Sequence, residues 1–246
     1  MSLRIEHDGA VLRLTLDRAE KHNAIDSALL VGLTAAFADV GDKRVVVLRG
    51  AGLSFSAGAD LDEMRAGLES SHEERLVDAR RWRALLDAVD GCPAPVVAGV
   101  HGNVLGGACG LLACCDVVVA APGTRFAFSE VKVGIVPAVV SPFVVARIGS
   151  GHARGLFVTG ERFDADRALR IGLISEIATD LDAGLERLVA EVLAGGPEAV
   201  RIAKRIAREP LEAGELAELL ADLRASDEGQ EGLGAFLERR PPSWRG

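Results

Sequence analysis

Two runs of small residues set the tightest limit on how this chain folds. They are Ser54-Phe55-Ser56-Ala57-Gly58-Ala59-Asp60-Leu61 and, about fifty residues later, Gly102-Asn103-Val104-Leu105-Gly106-Gly107-Ala108. Each leads from an apolar, strand-like segment into a helix-like one. Such a turn leaves backbone N–H groups free at a helix start, where the helix dipole also favours negative charge. Two of these ends, facing each other, can hold one oxygen atom that becomes negative during a reaction. That is an oxyanion hole made of main chain.

The flanking segments alternate between the two regular periods. Leu3, Ile5, Val11, Leu12, Leu14 and Leu16 around Asp8-Gly9 predict a β-hairpin over residues 3–16. Helical spacing runs from Ala24 to Val40, with Asp26 or Ser27 as N-cap. Arg44–Gly50 reads as a buried strand, followed by a short helix from Asp60 and a longer amphipathic one over Glu73–Val89. Pro95–Val100, Val117–Ala121 and Thr124–Phe128 read as strands, and Gly106–Cys115 as a helix. Strands that alternate with helices in this way make an α/β core with covered strands.

After residue 141 the spacing turns helical, over Phe143–Ile148, His152–Val158, Ala165–Ile171, Leu181–Leu193, Pro197–Ala207, Leu216–Ser226 and Gln230–Glu238. Only Ile174–Ile177 reads as extended there. Gly195-Gly196-Pro197 is the best candidate break, so residues 1–195 are expected to form the α/β core and residues 196–246 a C-terminal helical region.

Composition narrows the partners. With 49% hydrophobic residues in a chain of 246, a sizeable core is available. A net charge of −8 argues against nucleic acid. The longest apolar run, near Val117–Ala121, is too short to cross a bilayer. Met1-Ser2-Leu3-Arg4-Ile5-Glu6 lacks a signal-peptide pattern, so a cytoplasmic location is expected. Cys92, Cys109, Cys114 and Cys115 form no C-x-x-C pair and read as small buried hydrophobes. No histidine pair has metal-ligand spacing, so no metal is expected. His22 and His152 read as surface residues and His101 as structural.

Five motifs in order resemble the enoyl-CoA hydratase/isomerase (crotonase) superfamily. Asp17-Arg18-Ala19-Glu20-Lys21-His22-Asn23-Ala24-Ile25 is similar to the family's N-R-P-E-K-x-N-A-L, and Phe55–Leu61 to its F-x-A-G-A-D-L. His101–Ala108 with Cys114-Cys115-Asp116 resembles the family's glycine-run helix and its C-D ending. Thr159-Gly160-Glu161 with Ala165, Ala168, Gly172 and Leu173 resembles the later T-G motif, and Ala235–Arg240 the closing A-F-x-E-K-R. The resemblance implies a spiral of ββα units with a C-terminal helical oligomerisation region that builds trimers, often paired into hexamers. It implies acyl-CoA thioesters as substrates, with coenzyme A part of the substrate and no separate cofactor.

In the family the oxyanion-hole amides match Ala59 and Gly107 here. Ala57, Gly58, Asp60, Leu61 and Gly106 match the surrounding substrate-binding turns. Phe236 and Arg239 match positions that reach coenzyme A from a neighbouring subunit. Lys21 is a candidate phosphate contact, because Leu53 and Asp62 stand near positions where some relatives carry lysines. Asp60 doubles as an N-cap, Asp116 reads as structural, and Glu63 as solvent-facing.

Two backbone donors stabilise an enolate but move no proton, which needs a carboxylate or imidazole. Familiar hydratases carry two glutamates. The position of the first reads Gly110 here, and the second matches Glu130. Apolar neighbours would raise the Glu130 pKa into a useful range; the bland alternative is a solvated carboxylate at a strand end. One carboxylate can hydrate a 2-enoyl-CoA, or carry a proton between C2 and C4 as an isomerase. Gly134–Val144 resembles the branch that includes methylglutaconyl-CoA hydratase-like proteins, which favours hydration. A non-catalytic acyl-CoA-binding oligomer is the alternative of another class.

Overall fold

The computed structural model describes residues 2–245. Strands β1 (Leu3–Asp8) and β2 (Val11–Leu16) form the expected antiparallel hairpin. Beside β2, the strands β3 (Val45–Gly50), β4 (Val96–Val100), β6 (Val117–Ala120) and β9 (Glu176–Ile177) add in parallel, giving a six-stranded sheet ordered β1-β2-β3-β4-β6-β9. Alternate residues of the central strands feed two different cores, as the two-residue period of a strand requires. Val45, Val47, Val97 and Val119 pack with Leu185 and Val189 of α7 (Leu181–Ala194) on one face. Val46, Leu48, Val96 and Ala98 face the larger core, under α1 (Ser27–Ala38), α3 (His72–Asp90) and α4 (Gly107–Ala113).

A second sheet corrects the sequence reading. It joins β5 (Asn103–Leu105) in parallel to β7 (Arg125–Ala127), and β7 antiparallel to β8 (Arg162–Asp164). Asn103–Leu105 had read only as turn, and Arg162–Asp164 was not expected to be extended. Three residues are too few for alternation to show; these strands exist because partners distant in sequence complete their hydrogen bonds. The segment α5 (Ser141–Thr159) is two helices that meet at Gly149, whose backbone is non-helical (φ 74°, ψ 155°), as the two separate helical stretches of the sequence led one to expect.

Helices α8 (Pro197–Arg208), α9 (Ala213–Ala225) and α10 (Asp227–Glu238) complete the chain. They are tied to the core by charge. The Arg44 guanidinium donates to the carbonyls of Leu193 (2.8 Å), Gly195 (2.6 Å) and Trp244 (3.1 Å). Lys204 Nζ donates to Asp116 (2.7 Å), whose carboxylate also accepts the Val96 amide (2.7 Å). Asp116 is thus structural, as expected. Among the described residues no helix is long and apolar enough to cross a membrane.

Candidate active site

The two small-residue turns lie side by side. The Phe55 amide donates to His101 O (2.8 Å), Ser56 N to Asn103 O (3.1 Å) and Leu105 N to Ser56 O (3.1 Å), forming a parallel bridge between Ser56 and Val104. Ala59 and Gly107 each stand three residues beyond that bridge, so the two chains leave it in step. The approach is backbone to backbone. Gly58 has φ +88°, and a Cβ there would lie 2.6 Å from Leu105 O. Only glycine fits that position.

Asn23 holds the first turn from beneath. It is fully buried and its Nδ2 donates to Ala51 O (2.7 Å) and Ser54 O (2.8 Å), while its Oδ1 accepts the Arg18 amide (2.8 Å). Ser56 Oγ donates to Asn23 O (2.8 Å). Three of the amides beside the two key positions are consumed internally: Gly58 N reaches Ser56 Oγ (3.2 Å), Asp60 N reaches Ile25 O (3.0 Å) and Gly106 N reaches Ala127 O (2.8 Å). Among the described residues, the amides of Ala59 and Gly107 find no protein acceptor. Gly107 opens α4, where the first amides of a helix have no intrahelical partner.

Ala59, Gly107 and Glu130 line one cavity of about 150 Å3, whose other walls are Trp82 and the segment Val136–Val140. Glu130 starts a 3-10 turn over Glu130–Val133 and is half-buried. Its Oε2 is buried with no hydrogen-bond partner. A Cβ on Gly106 would lie 3.5 Å from Glu130 Oε1, so the carboxylate rests against the second glycine turn. Burial pushes the Glu130 pKa above the usual carboxylate range, and its own backbone amide offsets only part of this. Among the described residues no other ionisable side chain lines this cavity.

Two bulky side chains cover the glycine face of α4. A Cβ on Gly107 would meet the Trp82 ring at 2.7 Å, and a Cβ on Gly110 would overlap Val140. Val140, 4% exposed, therefore fills the space a side chain at position 110 would need. Neither Trp82 nor Val140 stood out in the sequence. Trp82 lies within the amphipathic helix read over Glu73–Val89, and the Val140 contact with Gly110 spans thirty positions.

The remaining sequence candidates divide. Gly58 and Gly106 form the turns themselves, and Ala57 is half-buried in the first of them. Asp60 is buried and caps α2 (Leu61–Ala66) through the amides of Asp62 (2.8 Å) and Glu63 (3.3 Å). Burial alone would raise the Asp60 pKa, but those amides and the Arg18 guanidinium (2.9 Å) hold it below the usual range. Lys21 pairs with Asp62 (2.7 Å), so its ammonium is already engaged by a carboxylate. Leu61 is 73% exposed. Phe236 and Arg239 sit on and just after α10, outside the Glu130 cavity, and Phe236 is 80% exposed. Glu63 does more than face solvent: it accepts the Ser27 amide and hydroxyl (3.0 Å each) at the start of α1. His101 is structural, bonded through Nε2 to Gly52 O (2.9 Å). All four cysteines are buried and free, and burial raises every thiol pKa. Among the described residues no cluster of three His, Cys, Asp or Glu side chains is arranged to hold a metal.

Mixed sheets wound this way, with two glycine turns meeting at a carboxylate pocket, define the crotonase class, and solved structures share the fold throughout. An enoyl-CoA hydratase from Shewanella pealeana superposes with a TM-score of 0.92 at 35% identity, covering 99% of this chain and 96% of that one. The 2,3-dehydroadipyl-CoA hydratase of Escherichia coli is 34% identical, over 99% of this chain and 98% of its own length. A protein named probable enoyl-CoA hydratase in Rhodobacter capsulatus is 33% identical, over 100% and 98%. The sequence profile of the family described as enoyl-CoA hydratase/isomerase matches residues 6–246. The chain belongs to that family.

Proposed function

We propose that the protein hydrates a 2-enoyl-CoA thioester, with Ala59 and Gly107 as backbone donors and Glu130 as the single acid and base. One observation carries the reading. Two amides without a protein acceptor, equally spaced from one bridge, share a small cavity with a half-buried carboxylate whose Oε2 has no partner.

The thioester carbonyl oxygen accepts hydrogen bonds from both amides, which draws electron density from the conjugated double bond and makes C3 electrophilic. Glu130 takes a proton from water as its oxygen bonds to C3. The C2=C3 electrons move toward the carbonyl and form an enolate. Glu130 then returns the proton to C2, which collapses the enolate and restores the carboxylate. One backbone donor is worth about 3 kcal/mol of barrier, and apolar walls strengthen it by excluding water. With Val140 against Gly110, Glu130 performs both proton transfers. Coenzyme A enters as part of the substrate, with Ala57, Gly58, Asp60, Leu61 and Gly106 forming the turns beside it. The chain works as a trimer or hexamer, in which Phe236 and Arg239 reach a neighbour's ligand. The hydratase names of relatives at about one-third identity support the choice of reaction.

A second reading follows from the filled space at Gly110. A lone carboxylate suffices to remove the C2 proton of a 3-enoyl-CoA and return it at C4, shifting the double bond into conjugation. Offering a 2-enoyl-CoA and a 3-enoyl-CoA separately distinguishes the two. Hydration removes the conjugated-thioester absorbance of the first, and isomerisation creates it from the second. Coenzyme A ester binding with neither change would leave a non-catalytic binder.

A further inference from the structure

We propose that Trp82 limits the size of the acyl group. This rests on the reading above only in placing the thioester oxygen at Ala59 and Gly107. The Glu130 cavity abuts a second one of about 740 Å3, walled by α2 and α3, and the two share only Ala59 and Trp82 among their lining residues. Ala59 offers a methyl group and main chain, so the indole is the partition. Its six-membered edge packs on Gly107, where Cη2 and Cζ3 would each stand 2.7 Å from a Cβ.

An oxygen held at Ala59 and Gly107 puts the next carbons beside Glu130, inside the smaller compartment. Pro137, Val139 and Val140 line it together with Glu130. A cavity of about 150 Å3 admits a group the size of benzene, about six carbons. An acyl group of that size fits without disturbing the ring. A longer one has to pass Trp82 into the larger cavity, whose lining includes Met64, Leu68 and Ile135 as well as the charged Glu63, Arg65, Arg75 and Arg81. The partition works against the ordinary trend, since each added methylene should otherwise tighten binding to an apolar pocket.

The test is calorimetric titration with butanoyl-CoA and decanoyl-CoA, saturated esters that cannot be hydrated, on wild type, Trp82→Phe and Trp82→Ala. Wild type is expected to bind the short ester at least tenfold more tightly. Trp82→Ala is expected to shift the ratio at least tenfold toward the long ester, with Trp82→Phe between. Wild type that binds the long ester as well as the short one, or a ratio unmoved in the variants, overturns the proposal. If Trp82→Ala does not fold, the direction of change in Trp82→Phe decides. Turnover of 2-butenoyl-CoA and 2-decenoyl-CoA is read in parallel. The expected binding ratios without turnover would sink the reaction and keep the size limit; turnover with an unmoved ratio would do the reverse.

Discussion

Placing one methyl group at position 110 probes how the site came to have a single carboxylate. Gly110 lies inside α4, where alanine is favoured over glycine by about 1 kcal/mol. Its Cβ would nevertheless overlap Val140, and overpacking of this kind costs about 1–3 kcal/mol. Gly110→Ala alone should therefore destabilise by about 0–2 kcal/mol, against its helix propensity. Val140→Ala removes two methyl groups from a buried side chain, about 1.6 kcal/mol of transfer energy, and about 2–3 kcal/mol with the cavity included. In the double variant the new methyl enters the vacated space, so the two losses should fall short of their sum by about 1–3 kcal/mol. Thermal unfolding at fixed protein concentration reads this, at about 2–4 °C per kcal/mol for a chain of this length. Losses that add to within about 0.5 kcal/mol would refute the packing of Val140 into the position-110 space.

Three further outcomes follow from the site. Gly107→Ala and Gly107→Pro meet the same Trp82 ring, but only proline deletes the amide. The proline variant should lose a further factor of about 100–1000 in kcat, and equal rates would remove Gly107 from the oxyanion hole. Glu130→Gln should abolish turnover while leaving assembly unchanged, and wild-type kcat/KM should rise with pH through a value above the ordinary 4.5, because burial favours the neutral carboxyl. The same shift fixes the stability sign. The Glu130 contribution is full below pH 4.5 and is lost as pH rises through the higher folded-state value, so the wild type minus Glu130→Gln difference in unfolding free energy should shrink across that window. Asn23→Ala leaves three backbone groups unpaired beneath the first turn, which should cost at least about 2 kcal/mol and lower kcat, measured by denaturant unfolding and steady-state rates.

Local chemistry made much of this legible in the sequence. The small residues of both turns, the Asp26 and Asp60 caps, and the continuous apolar run Val45–Leu48 all act through near neighbours, and the structure keeps them where they were expected. What was hidden depends on contacts distant in sequence. The Ser56–Val104 bridge that sets Ala59 and Gly107 in step joins segments forty-eight positions apart. Strands β5 and β8 are too short to announce themselves, and Glu63 reads as a surface carboxylate because its partners, the amide and hydroxyl of Ser27 at the start of α1, lie thirty-six positions away. Lys21 read as a free cation because nothing local shows its pairing with Asp62.

The carbonyl stretch of an enzyme-bound 2-enoyl-CoA labelled with 13C at the thioester carbon reports directly on the amides. Two donors aimed at one oxygen should lower its infrared frequency on binding, and Gly107→Pro should abolish most of that shift while Gly107→Ala should keep it. A bound carbonyl that absorbs at its solution frequency in the wild-type protein would contradict a shared grip by residues 59 and 107.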